Sequence, residues 1–158
     1  MTTPPRRLLF VCTGNICRSP MARFLAERRA REAGLALRAA SAGTAAEVGW
    51  GMTPEAERAL ASRGIVGVRH QARQVDAAMM AEADAVYALT RAHRDRLARL
   101  FAAHAAKIAV LREAAGLPGP DVDDPYGMPD SVYEECASRI DEALAVLIRR
   151  NHDASHSR

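Results

Sequence analysis

The sequence predicts a three-layer α/β/α domain built on a four-stranded parallel sheet. Three observations carry that reading. Short apolar runs of strand length alternate along the chain with longer stretches of helical periodicity, and strands that alternate with helices pair in parallel through right-handed crossovers. The 158 residues fit one domain and suffice to bury a core. A composition of 49% hydrophobic and 26% charged residues is that of an ordinary globular chain, not a disordered one.

After a frayed start, Arg7 to Val11 reads as the first strand, short and buried. Pro20 to Ala33 reads as a helix that Gly34 terminates. Leu35 to Ala40 is the second strand and the loop Ser41 to Thr53 follows it. Pro54 to Arg63 is helical, with Pro in its first turn and Gly64 at its end. Ala85 to Leu89 is the third strand, His93 to Ala103 a helix, and Ile108 to Leu111 the fourth strand. The stretch Gly116 to Asp130 is dense in Pro, Gly and Asp and reads as an exposed loop. In the last helix Ser131 and Glu134 form a capping box, and Val132, Cys136, Ile140, Ala143, Leu144, Leu147 and Ile148 share one face. Residues 1–150 thus read as a single domain and residues 151–158 as a polar, disordered tail, with no internal repeat.

Several function classes are disfavoured by composition. The net charge of +3 comes from scattered arginines among acidic residues, and aromatics are only 4% of the chain, so nothing argues for nucleic-acid binding. A basic surface of this kind suits a phosphorylated substrate. The longest apolar run near the start, Leu8 to Cys12, is too short for a membrane span or a signal-peptide core, which predicts a cytoplasmic protein without membrane attachment. Three cysteines, two of them five residues apart, argue against a disulfide framework and leave room for a reactive thiol.

The chemistry concentrates in Phe10 to Pro20, "FVCTGNICRSP". Ligands of parallel α/β sheets sit beyond the carboxyl ends of strands, and Cys12 lies at such an end. A loop from Thr13 to Cys17 that runs into a helix at Ser19-Pro20 aims several backbone N–H groups into one concavity, and Pro gives up only a donor that had no intrahelical partner. Gly14 and Asn15 tolerate the backbone geometry such a loop needs. Arg18 presents a planar fork to two phosphate oxygens. The same positive field favours the thiolate form of a cysteine, and a thiolate beside a bound phosphate is a nucleophile aimed at phosphorus.

Cys12-Thr13-Gly14-Asn15-Ile16-Cys17-Arg18-Ser19-Pro20 resembles the phosphate-binding loop of the low-molecular-weight protein tyrosine phosphatases, bacterial type, whose signature is Cys, five residues, then Arg-Ser. A second motif, Asp124-Pro125-Tyr126-Gly127, lies where that family has its acid loop. Ser41-Ala42-Gly43-Thr44, His70-Gln71-Ala72-Arg73, and Ala83-Asp84 with Leu89-Thr90 extend the resemblance over nearly the whole chain. It implies hydrolysis of phosphotyrosine in proteins through a phosphocysteine, without metal or other cofactor. Cys12 would be the nucleophile, Arg18 the phosphate clamp and Asp124 the acid. Thr13, Gly14, Asn15, Ile16, Cys17 and Ser19 would cradle the phosphate, and Tyr126 would wall the pocket. Asn15, Ser19, Ser41 and His70 would form the network that holds the loop. Cys17 would close a disulfide with Cys12 under oxidants and so protect the nucleophile.

The departures from the family pattern bear on substrate. An aromatic common in the loop after the second strand is replaced by Ala46 or Glu47, and whether Trp50, a few residues later, turns inward is open at this point. Only one tyrosine follows Pro125. Arginine phosphatases resemble the chain but carry Thr where this loop has Ile16, and an apolar side chain there favours a flat aromatic phosphoester over a guanidinium. Arsenate reductases share the loop but need further cysteines, and none occurs between Cys17 and Cys136. A non-catalytic phosphate-binding module would be expected to lack Cys12, Arg18 or Asp124. Asp121 and Asp123 are capable acids displaced from the motif. Cys136 reads as core, and His93 and His104 as surface residues without ligand spacing.

Overall fold

A computed structural model describes residues 6–156, so most of the frayed start lies outside the described residues. Strand β1 (Arg6–Cys12) is followed by α1 (Arg18–Glu32), β2 (Leu37–Gly43), α2 (Pro54–Ala61), α3 (Ala77–Glu82), β3 (Ala85–Ala88) and α4 (Arg91–Leu100). A 3-10 turn (Ala102–Lys107), β4 (Ile108–Val110), a short α5 (Leu111–Ala114) and the long α6 (Asp130–His156) complete the chain. The sheet has the order β2-β1-β3-β4, and all its pairings are parallel.

Both faces of the sheet are covered, as a parallel sheet requires. Successive residues of a strand point to opposite faces, and β1 divides accordingly. Leu8, Phe10 and Cys12 join the core formed with α1, α2 and α6, including Met21, Leu60, Tyr133 and Ile140. Leu9 and Val11 join the smaller core with Met80, Val86, Leu97 and Ile108 under α3 and α4. The three layers and four parallel strands are those the sequence predicts. No helix among the described residues is long and apolar enough to cross a membrane.

Several features differ from the sequence reading. Strand β2 starts later and runs on through Gly43, because Ser41, Ala42 and Gly43 pair with Phe10, Val11 and Cys12. Helix α1 starts at Arg18, before its proline, and α3 appears where no periodicity marks it, capped by Asp76, whose side chain accepts from the Met79 amide. The capping box of α6 is not used as such: the Glu134 carboxylate accepts from Ser62 Oγ at 2.8 Å and from Arg63 at 2.7 Å. The expected disordered tail is helical as far as His156. No Gly or Pro interrupts the chain after Ile148, so nothing stops the helix, and the rings of His152 and His156 stack at 4.1 Å.

The strand order places the site. β1 has β2 on one side and β3 on the other, so the crossovers leaving the sheet diverge beside β1. In open α/β sheets that divergence leaves a crevice beyond the carboxyl ends of the strands. Residues 13–17 after β1, 44–53 after β2 and 115–129 before α6 converge there.

Candidate active site

Cys12 ends β1 and Arg18 begins α1, so the loop between them is fixed at both ends by regular structure. Its carbonyls are turned outward. Those of Cys12, Thr13, Gly14 and Ile16 accept from the amides of Thr44, Ala45, Glu47 and Thr53 at 2.9 to 3.1 Å. The Asn15 carbonyl accepts from His70 Nε2 at 2.6 Å, which fixes the proton on that nitrogen. None of the amides of residues 13–18 donates to a protein acceptor among the described residues. A ring of unpaired N–H groups at a helix N-terminus is an anion cradle.

Asn15 makes the turn possible. Its φ of 60° lies in the left-handed region, where it is the one non-glycine among the described residues, and the side chain secures that conformation. Nδ2 donates to Ser19 Oγ at 2.8 Å and to Ser41 Oγ at 3.0 Å, while Oδ1 accepts from the Arg73 amide at 3.0 Å. The Ser19 hydroxyl then has one proton to give, and Cys12 Sγ at 2.9 Å is nearer than the Ala42 carbonyl at 3.3 Å. Asn15, Ser19 and Ser41 are buried. His70 is held neutral chiefly by burial, which lowers its pKa against the opposing pull of the Asn15 carbonyl. Gly43 is required for a different reason: a Cβ there would stand 2.3 Å from the Thr13 carbonyl oxygen.

Arg18 is buried, and its Nη1 donates to the Val122 carbonyl at 2.9 Å. Its other nitrogen, Nη2, lies 3.8 Å from Asp124 Oδ2. The guanidinium therefore joins the loop after β1 to the loop before α6. Asp124 is largely exposed, and its Oδ1 accepts from the Tyr126 amide at 3.1 Å. Asp121 is occupied elsewhere, accepting from the Arg91 amide at the start of α4. Asp123 is exposed and lies outside the pocket lining.

Between these groups lies a cavity of about 200 Å³, lined by residues 12–18 together with Ala45, Glu47, Trp50, Asp124 and Tyr126. Residues 12–18 are thus brought together with Asp124 and Tyr126, whereas Ser19, expected in the cradle, is buried outside the pocket lining with its hydroxyl 2.9 Å from Cys12 Sγ, and Ser41 and His70 stand behind the loop. Trp50 does line the pocket, which its spacing left open. Glu47 also lies in the wall and was visible in sequence only as a missing aromatic. Cys17 faces away from the solvent, with Thr53 Oγ1 at 3.5 Å and Tyr133 Oη at 3.4 Å, and burial raises its pKa. Cys12, Cys17 and Cys136 are free thiols, and Cys136 is in the core as expected.

His93 is the correction. It is 7% exposed, not a surface residue, and Nε2 lies 2.8 Å from Thr13 Oγ1. Burial, with Arg18 nearby, pushes it down to about 4 from 6.5, so the ring is neutral near pH 7. Its Nδ1 is buried without a partner among the described residues. A Thr at the exit of β3 that caps α4 through the His93 amide at 3.1 Å was the available signal, because it puts position 93 in the first turn at the carboxyl edge of the sheet.

A thiol at the focus of unpaired amides, an arginine six residues on, and a carboxylate across the mouth define a cysteine-centred phosphate-binding site on a parallel α/β sheet. Among the described residues no cluster of three or more His, Cys, Asp or Glu is arranged to hold a metal ion. The chain belongs to the low molecular weight phosphotyrosine protein phosphatase family, whose model matches residues 7–155. It is 39% identical over 153 residues to a low molecular weight protein-tyrosine-phosphatase of Streptomyces coelicolor, covering 90% of this chain and 91% of that protein. It is 34% identical over 143 residues to a protein-arginine-phosphatase of Bacillus subtilis, covering 90% and 95%. The solved low molecular weight protein tyrosine phosphatase from T. tengcongensis matches with a TM-score of 0.88 at 37% identity, covering 92% and 99%.

Proposed function

We propose that this chain hydrolyses phosphotyrosine in proteins through a phosphocysteine intermediate. The observation that carries the reading is the meeting of Cys12, the unpaired loop amides, Arg18 and Asp124 around one pocket walled by Ile16, Trp50 and Tyr126. Cys12 Sγ attacks phosphorus in line, the amides and Arg18 hold the equatorial oxygens, and Asp124 gives its proton to the departing phenolate oxygen. Water, deprotonated by the Asp124 carboxylate, then cleaves the S–P bond and frees phosphate and the thiolate. Catalysis of this kind rests on positioning and electrostatics. The side-chain network from Asn15 to Ser19 and Ser41 supplies the positioning from behind the loop.

Phosphoarginine is the second reading, supported by the relative named for it and by the Glu47 carboxylate in the wall. The apolar Ile16 and the two aromatic rings favour a flat phenyl ester. Turnover of a phosphotyrosine peptide against a phosphoarginine peptide, by wild type, Ile16→Thr and a Cys12→Ser blank, tests the choice. Preference for phosphotyrosine that shifts toward phosphoarginine in Ile16→Thr is expected. Wild-type preference for phosphoarginine would replace the first reading with the second, and turnover of neither would leave a phosphate-binding module.

We assign Cys17 to redox protection of the nucleophile: peroxide oxidises Cys12 to a sulfenic acid, and the Cys17 thiol condenses with it, forming the disulfide and releasing water. Mass spectrometry after mild peroxide should find a Cys12–Cys17 link. A sulfinic acid at Cys12 with no link would reject the assignment.

A further inference from the structure

Beside the phosphate pocket lies a second cavity of about 490 Å³. It shares Ile16, Trp50 and Tyr126 with the first and continues over Met52, Glu55 and Tyr133. Trp50 and Tyr126 stand 54% and 59% exposed at the shared wall. Two large rings held in solvent beside a binding pocket are surface available for a partner.

The charge in this corner is uneven. Glu55 has Arg58 as its cationic neighbour, at 4.0 Å. Arg58 is already gripped by both oxygens of Asp130, at 2.9 Å each. Two carboxylates therefore share one guanidinium, and the balance of the three groups is negative. An apolar occupant of the cavity would desolvate the Glu55 carboxylate without giving it a partner, which is costly. An acidic occupant would be repelled. A side chain with an apolar stem and a cationic head meets both demands, its stem against Met52, its charge on the exposed ring faces and toward Glu55.

We infer that this cavity is a subsite for an arginine or lysine side chain of the substrate protein, within a residue or two of the phosphorylated tyrosine. The inference rests on the phosphotyrosine reading above. The shared walls require the short separation, since an extended peptide advances about 3.3 Å per residue.

The test is a set of phosphotyrosine peptides carrying arginine, norleucine or glutamate at each of the flanking positions, read as ratios of kcat/KM within one enzyme. Ratios cancel any general loss of activity or stability in a variant. Wild type should prefer arginine over norleucine by about 5- to 30-fold at one position or more. In Glu55→Gln that ratio should fall to within about 2-fold, in Trp50→Leu it should also fall, and in Glu55→Lys the glutamate peptide should be preferred. Equal rates for arginine and norleucine at every position, or a preference for norleucine, would overturn the inference while leaving the phosphatase reading intact. An arginine preference unchanged in Glu55→Gln would overturn it too. Failure of wild type to cleave any phosphotyrosine peptide would overturn both.

Discussion

Asp124 is held by the bond from the Tyr126 amide to Oδ1. Oδ2, the other oxygen, looks toward Arg18 at 3.8 Å. That division suits an acid that must turn between a leaving group and a water. Asp124→Ala should lower turnover of a phosphotyrosine peptide by about 10²–10⁴, roughly 3–5 kcal/mol of barrier. The loss should be smaller on p-nitrophenyl phosphate, whose leaving group needs less help from a proton. Equal rates for Asp124→Ala and wild type on the poorer leaving group would remove Asp124 from the mechanism. At this scale the sequence was most legible, because the loop is contiguous: Cys12, Asn15, Arg18 and Ser19 act at covalent spacings. What it hid were contacts made across the fold, such as Thr13 to His93.

The loop of residues 115–129 shows how an element without regular structure is nonetheless held. Arg112, buried at the start of α5, donates to the carbonyls of Pro118 and Gly119 at 2.8 Å and to that of Arg139 in α6 at 2.8 Å, with Glu142 at 3.1 Å. Arg139 adds bonds to Gly119 and Asp121. Val122 is clamped between the Leu89 carbonyl and Arg18. The base of the loop is thus fixed by three arginines, while Tyr126 and Met128 remain exposed at its tip. Arg112→Leu keeps much of the volume but takes the donor from the carbonyls of Pro118 and Arg139, at about 1–3 kcal/mol for the lost charge-assisted hydrogen bonds. A fall in Tm of roughly 2–12 °C is expected by calorimetry. A change under about 2 °C would mean that water replaces the guanidinium there at no cost. Nothing in the Pro-Gly-Asp composition of the loop foretold this anchoring, since the arginines that supply it lie outside the loop.

Across the whole molecule, the alternation of strands and helices was legible because β1, β3 and β4 each centre on a short apolar run packed on both faces, whereas β2 carries Arg38 and Ser41 and is buried only over its last three residues. α3 and the 3-10 turn were not legible, for each is a single short stretch held by neighbours and not by its own periodicity. The clearest divergence between local pattern and tertiary setting is His93, which reads as a polar surface residue and is buried between the phosphate loop and the acid loop. That burial couples stability to pH. In the unfolded chain the imidazole gains its proton near 6.5, whereas in the fold it does so only near 4, with Arg18 opposing and Asp121 and Asp124 partly favouring the charge. Between those values the unfolded state binds more protons, so stability rises with pH. The contribution is complete above about 6.5 and is lost as pH falls toward 4, and His70, whose pKa is also lowered, acts in the same direction. Gln at position 93 offers an amide to Thr13 and does not titrate. The drop in Tm between pH 7.5 and pH 5 should therefore be smaller in His93→Gln than in wild type by at least about 2 °C. An identical drop in the two proteins would show that His93 takes up its proton in the fold as readily as in water, and that the fold does not hold this ring neutral.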